Sequence, residues 1–287
     1  MRHALALKIG PVSFRIGSAW REPLAQLERL YAGYPAADEV ADFTVRLEPA
    51  TPWRRFARPS VAIRGDYTLP DAAPLPLPLG LLAAEMGMNL QMALGQKRYL
   101  LLHAGIVARD GEALILTGAS GAGKSTLAAL LGEQGWRFMG DEFGLLDPET
   151  GFLHPFPRAI SLKNAALALF DGADPGRLGP VLRGTPKGMI RHLRPPADAI
   201  ARMAEPARPA LILFPRYGRD FPAEDRPVGA AEVFVRLTQA STNYVSLGAR
   251  GFDALTALVA EVPARAIDYG SSAEAIAMVE RLWAARA

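Results

Sequence analysis

Hydrophobic and polar positions alternate in short runs over the first 70 residues of the chain. The alternation is clear over residues 43–47 and partial over residues 4–16 and 61–67. Because side chains on a strand point to opposite faces in turn, this period predicts short β-strands. Ahead of the clearest run, residues 23–31 place leucines at helical spacing. The sequence therefore predicts an N-terminal region that is rich in β-strands and contains one helix.

Prolines mark the best candidate for a domain boundary. Residues 69–78 include four prolines, which is typical of an extended, semi-rigid connector. The apolar segment that follows, residues 79–96, is interrupted by Glu85 and other polar residues. It predicts a buried or amphipathic helix, because a membrane span needs about 20 nearly uncharged apolar residues. We expect an N-terminal β-rich region over residues 1–77 and a second domain over residues 78–287.

The pattern of the second domain predicts strands mixed with helices. Two dense apolar runs, residues 99–108 and 113–117, flank Asp110-Gly111, a turn dipeptide, and so predict an antiparallel pair. A helix is predicted over residues 125–133, and a long loop over residues 171–188, which are rich in Gly, Pro and Asp. Further predictions are strands over residues 138–141, 143–146 and 210–214, an exposed polar segment over 215–227, and helices over 252–261 and 273–285. This mixture predicts an α/β fold.

Composition excludes several kinds of site. Half of the 287 residues are hydrophobic and 21% are charged, which provides a sizeable core and excludes disorder of the whole chain. Cysteine is absent from the sequence, so disulfides, zinc–thiolate sites, iron–sulfur clusters and cysteine nucleophiles are excluded. Four scattered histidines argue against a histidine-rich metal site. The net charge of +3 is too small to indicate a nucleic-acid partner.

Lysine is scarce among the basic residues. Of 32 lysines and arginines, all but five are arginines, which an arginine-rich genome accounts for. A lysine ammonium is a point charge that reaches between phosphates more easily than a planar guanidinium. The five lysines are therefore the basic residues of greatest interest: Lys8, Lys97, Lys124, Lys163 and Lys187.

The N-terminus lacks the pattern of a secretory signal. It has no basic region followed by an apolar stretch and a cleavage site. We therefore expect a cytoplasmic protein without a membrane partner.

Residues 118–125, Gly-Ala-Ser-Gly-Ala-Gly-Lys-Ser, match the phosphate-loop pattern G-x-x-x-x-G-K-[ST] in full. The match lies between a predicted strand and a predicted helix, as this motif requires. Glycines let backbone N–H groups approach phosphate oxygens, and the amino end of the helix adds partial positive charge. Lys124 would reach the β- and γ-phosphates, and Ser125 would bind Mg²⁺. The expected nucleotide contacts are Gly118, Ala119, Ser120, Gly121, Ala122, Gly123, Lys124, Ser125 and Thr126.

The carboxylates of Asp141 and Glu142 begin 17 residues after Lys124, an interval that fits one helix and a returning strand. They could therefore sit at a strand end beside the loop. One would then hold a metal through water, while the other accepts a proton from an attacking hydroxyl.

A purely structural role also fits each of these candidates. The loop could be a glycine-rich turn with a surface lysine. Asp141 and Glu142 could be solvated acids in a turn. His103, inside an apolar run, could be a core histidine.

In order and spacing, His103, the loop 118–125 and the Asp141-Glu142 pair resemble the HPr kinase/phosphorylase family. These bacterial enzymes phosphorylate a serine on a small carrier protein. The chain is more similar still to the HPr-kinase-related group called HprK-related kinase A, and that likeness extends through residues 157–164 and 185–188 to Asn243-Tyr244. The resemblance implies an α/β, P-loop nucleotide-binding domain of the HPr kinase or phosphoenolpyruvate-carboxykinase-like type over residues 78–287.

The resemblance also implies roles for the candidate residues. Asp141 becomes the general base, Glu142 a second acid near the metal, and His103 an active-site residue beside the loop. The implied cofactors are ATP and Mg²⁺, with Ser125, Asp141 and Glu142 at the metal and Lys124 on the phosphates. Three further residues either contact phosphate or the acceptor or are solvated in loops: Lys163, Arg183 and Lys187.

We therefore expect a kinase that transfers the γ-phosphoryl of ATP to a hydroxyl, namely a serine of a protein or peptide whose identity the sequence does not specify. Two alternatives stay open: a non-catalytic ATP-binding regulatory protein and a kinase of a small metabolite. A homo-oligomer is also left open. The family's later Glu-x-Arg-Gly pattern lacks its glutamate here, because residues 181–184 read Val-Leu-Arg-Gly. Since the family ties that pattern to dephosphorylation, we expect no useful reverse reaction.

Overall fold

The computed structural model of the protein describes residues 3–37 and 40–286. The chain divides into two compact units, each built from two stretches. The first unit combines Met1–Gln96 with Ala159–Arg194, and the second combines Lys97–Arg158 with Pro195–Ala287. This division differs from the boundary expected after residue 77, because the first unit extends to Gln96 and also includes Ala159–Arg194.

The elements are numbered along the chain. The strands are β1 (His3–Ile9), β2 (Val12–Ser18), β3 (Phe43–Pro49), β4 (Ser60–Gly65), β5 (Leu75–Pro76), β6 (Leu100–Leu102), β7 (Ala104–Arg109), β8 (Glu112–Thr117), β9 (Arg137–Gly140), β10 (Gly144–Leu146), β11 (Leu153–His154), β12 (Ile160–Lys163), β13 (Leu178–Thr185), β14 (Gly188–Leu193), β15 (Arg208–Tyr217), β16 (Glu224–Pro227) and β17 (Ala264–Tyr269). The α-helices are α1 (Arg21–Leu30), α2 (Gly80–Gly95), α3 (Lys124–Glu133), α4 (Ala197–Ala201), α5 (Ala230–Ala240), α6 (Tyr244–Leu247), α7 (Ala249–Glu261) and α8 (Ser272–Ala284). Short 3-10 helices cover Pro52–Arg55, Leu77–Leu79, Asn164–Phe170 and Pro175–Arg177.

The first unit contains a five-stranded sheet in the order β1-β2-β3-β4-β5. Strands β1 and β2 form a hairpin, and β2 and β3 are parallel, with α1 between them in the chain. Helix α2 packs on β3 and β4 so closely that a β-carbon added at Gly87 would lie 2.5 Å from a Val45 methyl carbon. This contact places residues 80–95 with the N-terminal strands. Within the described ranges, no helix has both the length and the apolarity to cross a membrane.

The prediction of a long loop over residues 171–188 is wrong. Half of that segment belongs to a second sheet of the first unit, in the order β12-β14-β13. Strands β13 and β14 form a hairpin whose turn is closed by Thr185, which donates from its hydroxyl to the Gly188 carbonyl at 2.7 Å. Gly, Pro and Asp are frequent here because the hairpin has irregular register and a tight turn, and composition alone does not distinguish these from a loop.

The second unit is built on a six-stranded mixed sheet in the order β16-β17-β15-β8-β7-β9. Strands β8, β15 and β17 are parallel, and β7 runs antiparallel to both β8 and β9. The carboxyl ends of β8, β9, β15 and β17 therefore meet at one edge. The predicted antiparallel pair is confirmed, with its turn at Asp110-Gly111. Its first run, however, is two strands, because β6 joins a separate sheet in the order β11-β10-β6.

Helices cover both faces of this sheet. A β-carbon added at Gly105 on β7 would lie 3.0 Å from the Ala128 β-carbon, so α3 packs closely on one face. On the other face, Ala113 and Ile115 of β8 belong to a core cluster that includes buried residues of α5 and α7. Alternate residues of β8 are thus buried on opposite sides. Burial on both faces explains the dense apolar runs in the sequence.

Asp225 joins three elements of the second unit. Its carboxylate accepts hydrogen bonds from Arg265 on β17 and from Arg281 on α8, the latter at 2.6 Å. The hydrogen bond from Arg281 lowers the pKa of Asp225; burial opposes this effect, and the hydrogen bond from Arg265 adds to it. The ionised carboxylate is therefore favoured in the folded state.

Replacing Asp225 by asparagine should lower the free energy of unfolding at pH 7 by about 1 kcal/mol, since both arginines are partly exposed. Because folding lowers the pKa of Asp225, its carboxylate stabilises the folded state at pH values above the ordinary pKa of 3.8. This stabilisation is lost as the pH falls through the pKa of Asp225 in the folded state. The difference between wild type and Asp225→Asn in urea unfolding should thus be present at pH 7 and shrink below about pH 4. Asp253→Asn, at an exposed position of α7, is the control. A difference that does not change with pH would contradict this account.

Candidate functional site

One edge of the six-stranded sheet brings most of the candidate residues together. The loop 118–123 follows β8, Asp141 and Glu142 follow β9, and His103 immediately precedes β7. In the strand register, Ala104 lies opposite Thr117 and Ile106 lies opposite Gly140. Measured along the strand direction, these candidates therefore start within about two residues of one another. Ligands of open α/β sheets bind at such carboxyl ends of strands.

The loop 118–123 has the backbone that its glycines permit. Gly118, Gly121 and Gly123 have φ values of 141°, 83° and 93°, a region that residues with a β-carbon rarely adopt. Gly123 is the residue before α3 and has no side chain to cap the first N–H groups of the helix. At the same edge, α8 is capped by Ser271 and Glu274 in a full capping box. Among the described residues, no side chain caps the amino end of α3, and the N–H groups at such a helix start suit a phosphate.

Lys124 is buried at the start of α3. Only 6% of the residue is exposed, and its ammonium donates to the carbonyl oxygens of Gly118 at 2.8 Å and Ala119 at 2.9 Å. The chain therefore folds the loop around the ammonium. Lys124 is therefore not a surface lysine on a glycine-rich turn.

The carboxylates after β9 differ in their surroundings. Asp141 is 5% exposed, whereas the Glu142 side chain is 35% exposed and its carboxylate lies 3.7 Å from the Nε2 atom of His103. Glu142 also has a φ of 72°, an unfavourable value for a residue with a side chain, and such strain is frequent at functional sites. Asp141 is therefore not the solvated acid of an ordinary turn.

His103 is not a core histidine. Its side chain is 41% exposed beside Glu142, and its backbone lies where the chain passes from β6 in one sheet to β7 in another. The His103 carbonyl accepts from the hydroxyl of Thr117 at 3.1 Å, which ties this passage to the end of β8. When protonated, the imidazole forms an ion pair with Glu142.

Two tyrosines at the same edge complete the surroundings of the loop. Tyr269 ends β17, and its buried hydroxyl donates to the Ala122 carbonyl at 3.4 Å. Burial raises the pKa of Tyr269 well above its usual value, so the hydroxyl stays protonated. Tyr217 ends β15, and the two ring centroids are 5.9 Å apart. The sequence patterns did not predict either residue. Residues 264–269, in which apolar and charged positions partly alternate between two helices, could have indicated a strand ending at this edge.

Gly123→Ala should destabilise the protein by more than the cost of placing alanine at a positive φ, because the added β-carbon also meets Tyr269. A β-carbon at Gly123 would lie 2.6 Å from the Tyr269 hydroxyl oxygen, whereas one at Gly135 would meet nothing within 4 Å, and the φ values are 93° and 88°. Gly135→Ala is therefore the matched control, with an expected loss of about 1–2 kcal/mol. Gly123→Ala should lose a further ~1–3 kcal/mol in urea unfolding. Equal losses would show that Tyr269 moves away freely.

The remaining basic candidates belong to the first unit. Lys163 is the last residue of β12, and Lys187 is exposed in the turn between β13 and β14. Asn164, with a φ of 51°, accepts from the Met189 N–H and donates to the Lys187 carbonyl, which fixes this turn. Arg183 is exposed and donates to the sulfur of Met189 at 3.4 Å. For these three residues a role toward phosphate or an acceptor stays a prediction.

The residues at the edge suit Mg²⁺ only together with a ligand. Within the described part of the chain, no group of three or more His, Asp or Glu side chains could hold a metal by itself. A serine hydroxyl at Ser125 and the carboxylates of Asp141 and Glu142 are all oxygen donors, which Mg²⁺ prefers. Mg²⁺ commonly takes one or two protein oxygens plus substrate phosphates and water. The donor set therefore fits a metal that arrives with a nucleotide.

Comparison with known proteins adds little to this geometry. A scan against protein-family models gives no match, and a search of curated proteins gives none. Among solved structures, the chain is similar to the Hpr(Ser) kinase/phosphatase from Coxiella burnetii, with 14% sequence identity over 63% of this chain and 90% of that chain, at a TM-score of 0.28. With identity and TM-score this low, the likeness carries no argument.

Proposed function

We propose that the second unit binds ATP at the loop 118–125 and transfers its γ-phosphoryl group to a hydroxyl. One observation carries the proposal: the buried ammonium of Lys124 sits in a glycine-rich loop at the amino end of α3, at the same sheet edge as the buried Asp141. An uncapped helix start, loop N–H groups and a fixed ammonium are the features that hold phosphate chains.

Each residue at the edge has a distinct part in the proposed reaction. Lys124 and the loop N–H groups neutralise and position the phosphates, which is most of what phosphoryl transfer requires. Mg²⁺, when bound with the nucleotide near Ser125 and the two carboxylates, would supply further charge neutralisation. Asp141 accepts the proton of the attacking hydroxyl. His103, when protonated, pairs with the Glu142 carboxylate, 3.7 Å from its Nε2 atom.

The acceptor is proposed to be a serine of a protein or peptide, on the basis of the motif resemblance described above. A small metabolite is the alternative acceptor, since no residue of the edge discriminates between the two. A regulatory protein that only binds ATP is the alternative without chemistry. Asp141 favours chemistry, because a pure sensor needs the loop but no buried carboxylate beside it.

Phosphoryl transfer itself tests the proposal. The purified protein would be incubated with ATP labelled at the γ-phosphate, Mg²⁺ and the purified products of neighbouring genes as candidate acceptors. We expect label on one acceptor and none when Mg²⁺ is chelated. Label that appears on a small molecule would favour the metabolite kinase. ATP binding without transfer to any acceptor would favour the regulatory protein.

The reverse reaction is expected to be absent. In that reaction inorganic phosphate would remove the phosphoryl group from the acceptor and release pyrophosphate. Val181 stands where the family pattern has its glutamate, and a valine can neither orient phosphate nor pair with an arginine. Leu182 beside it is buried in a cluster with Leu79, Leu82 and Ile190. Purified phosphorylated acceptor, incubated with the protein, Mg²⁺ and excess phosphate, should give no pyrophosphate. Robust pyrophosphate formation would show that the missing glutamate is irrelevant.

A further inference from the structure

Tyr217 presents a half-exposed aromatic ring beside the phosphate loop. The residue is 48% exposed. Its neighbours in the chain, Arg216 and Gly218, form hydrogen bonds at the end of the sheet. Its β-carbon would lie 3.7 Å from a β-carbon added at Gly123, the last residue before Lys124. The Tyr217 side chain therefore starts directly beside the loop, and about half of the residue is open to solvent.

Strand β15 carries this ring past the end of its neighbour. Leu213 lies opposite Leu116, so β8 ends one residue later at Thr117, whereas β15 continues to Tyr217. At a strand rise of about 3.3 Å per residue, Tyr217 extends roughly 10 Å beyond Thr117. The ring thus stands beyond the sheet edge, at the height of the loop rather than below it.

The backbone and rings around Tyr217 hold it in this place. The Gly218 N–H donates to the Tyr269 carbonyl at 3.1 Å, which joins the ends of β15 and β17. The ring of Tyr269 packs against that of Tyr217 on one side, at an interplanar angle of 44°. The preceding Arg216 is engaged by Asp268 on β17 through two hydrogen bonds. Tyr217 is therefore a positioned aromatic side chain rather than part of a mobile loop.

The direction of a bound nucleotide follows from the order of strands. Strand β8, which leads into the loop, lies between β7 and β9 on one side and β15 on the other. Asp141 follows β9; since it accepts the acceptor proton in the proposed reaction, the reacting end of the triphosphate would face that side. The nucleoside then extends to the opposite side of the loop, toward β15 and its terminal tyrosine.

From this geometry we infer that Tyr217 is the stacking platform for the base of the bound nucleoside triphosphate. The inference rests on the proposed function and names the part of the substrate that this side of the edge recognises. A base and a tyrosine ring both offer flat π-faces, and stacking of this kind tolerates any base. Tyr217 therefore contributes affinity for nucleosides without selecting among them.

Isothermal titration calorimetry with three Mg²⁺-bound ligands tests the inference: ATP, GTP and inorganic tripolyphosphate. In Tyr217→Ala and Tyr217→Leu, the affinity for both nucleotides should fall by about 5- to 100-fold, while the affinity for tripolyphosphate should remain within about twofold, as it has no base to stack. Tyr217→Phe keeps the ring and should bind all three ligands as wild type does. Leucine preserves apolar bulk without an aromatic face, so it separates stacking from simple packing.

Phe252→Ala is the matched control, because Phe252 is an aromatic residue of the same unit with 50% exposure and also packs against another ring. It should leave all three affinities unchanged. An equal loss for tripolyphosphate and nucleotides in both Tyr217 variants would overturn the inference, since Tyr217 would then only support the loop. Unchanged nucleotide binding would overturn it as well. If wild-type protein binds none of the three ligands, the proposed function itself fails, an outcome distinct from either of these.

Discussion

Asp141→Asn is expected to reduce phosphoryl transfer by about 10²–10⁴-fold while ATP affinity stays near that of wild type. Asparagine has nearly the same size and still forms hydrogen bonds, but it cannot accept the proton of the acceptor hydroxyl. The carboxylate is buried at the carboxyl end of β9, so bulk water does not readily replace it. The effect should thus fall on the rate of transfer rather than on nucleotide binding.

Initial rates of label transfer and calorimetric ATP binding, both on folded protein, separate these two effects. Asp110→Asn is the matched control: the same substitution at an exposed turn between β7 and β8, at the opposite edge of the sheet. Its φ of 53° suits asparagine as well as aspartate. Transfer at the wild-type rate in Asp141→Asn would show that Asp141 is structural and is not the general base.

Lys124→Ala is expected to weaken ATP binding by about 10- to 100-fold, because each charge-assisted hydrogen bond to a phosphate is worth about 1.5–3 kcal/mol. The variant also loses the internal bonds to the Gly118 and Ala119 carbonyls, which shape the loop before the nucleotide binds. Thermal unfolding of the variant must accompany the calorimetry to show that it is folded.

Lys97→Ala removes the same charge from an exposed position of the same unit, where the ammonium donates to the Ser246 hydroxyl at 3.0 Å. It should bind ATP as wild type does. Equal affinities of Lys124→Ala and wild type for ATP would remove the basis of the proposed function.

Local pattern predicted much of the second unit correctly. The strand before Gly118 and the helix after it were predictable because a dense apolar run precedes the loop, an apolar segment of helical length follows it, and the loop between them has a distinctive composition. The turn at Asp110-Gly111 was predictable because those two residues favour positive φ, and both adopt it. These features depend on neighbours in sequence, which is what a local pattern records.

Features that depend on distant partners were not predictable. The run 99–108 is apolar throughout, so nothing in its period marks His103 as the point where the chain changes sheets. Tyr217 lay in a segment predicted to be exposed and polar, and only the register of β15 against β8 places it beside the loop. The functions of the candidate residues, including Lys163, Arg183 and Lys187, stay predictions.

The interleaved order of the two units determines when each can finish folding during synthesis. Leu79 and Leu82 pack with Leu182 and Ile190, which the ribosome adds about a hundred residues later. At about 5–20 residues per second, that gap lasts roughly 5–20 s. The first unit thus remains unfinished in the nascent chain while the whole stretch 97–158 emerges. During this interval the apolar side chains of Leu79 and Leu82 lack their final neighbours, and transiently exposed apolar surface of this kind is what chaperones protect.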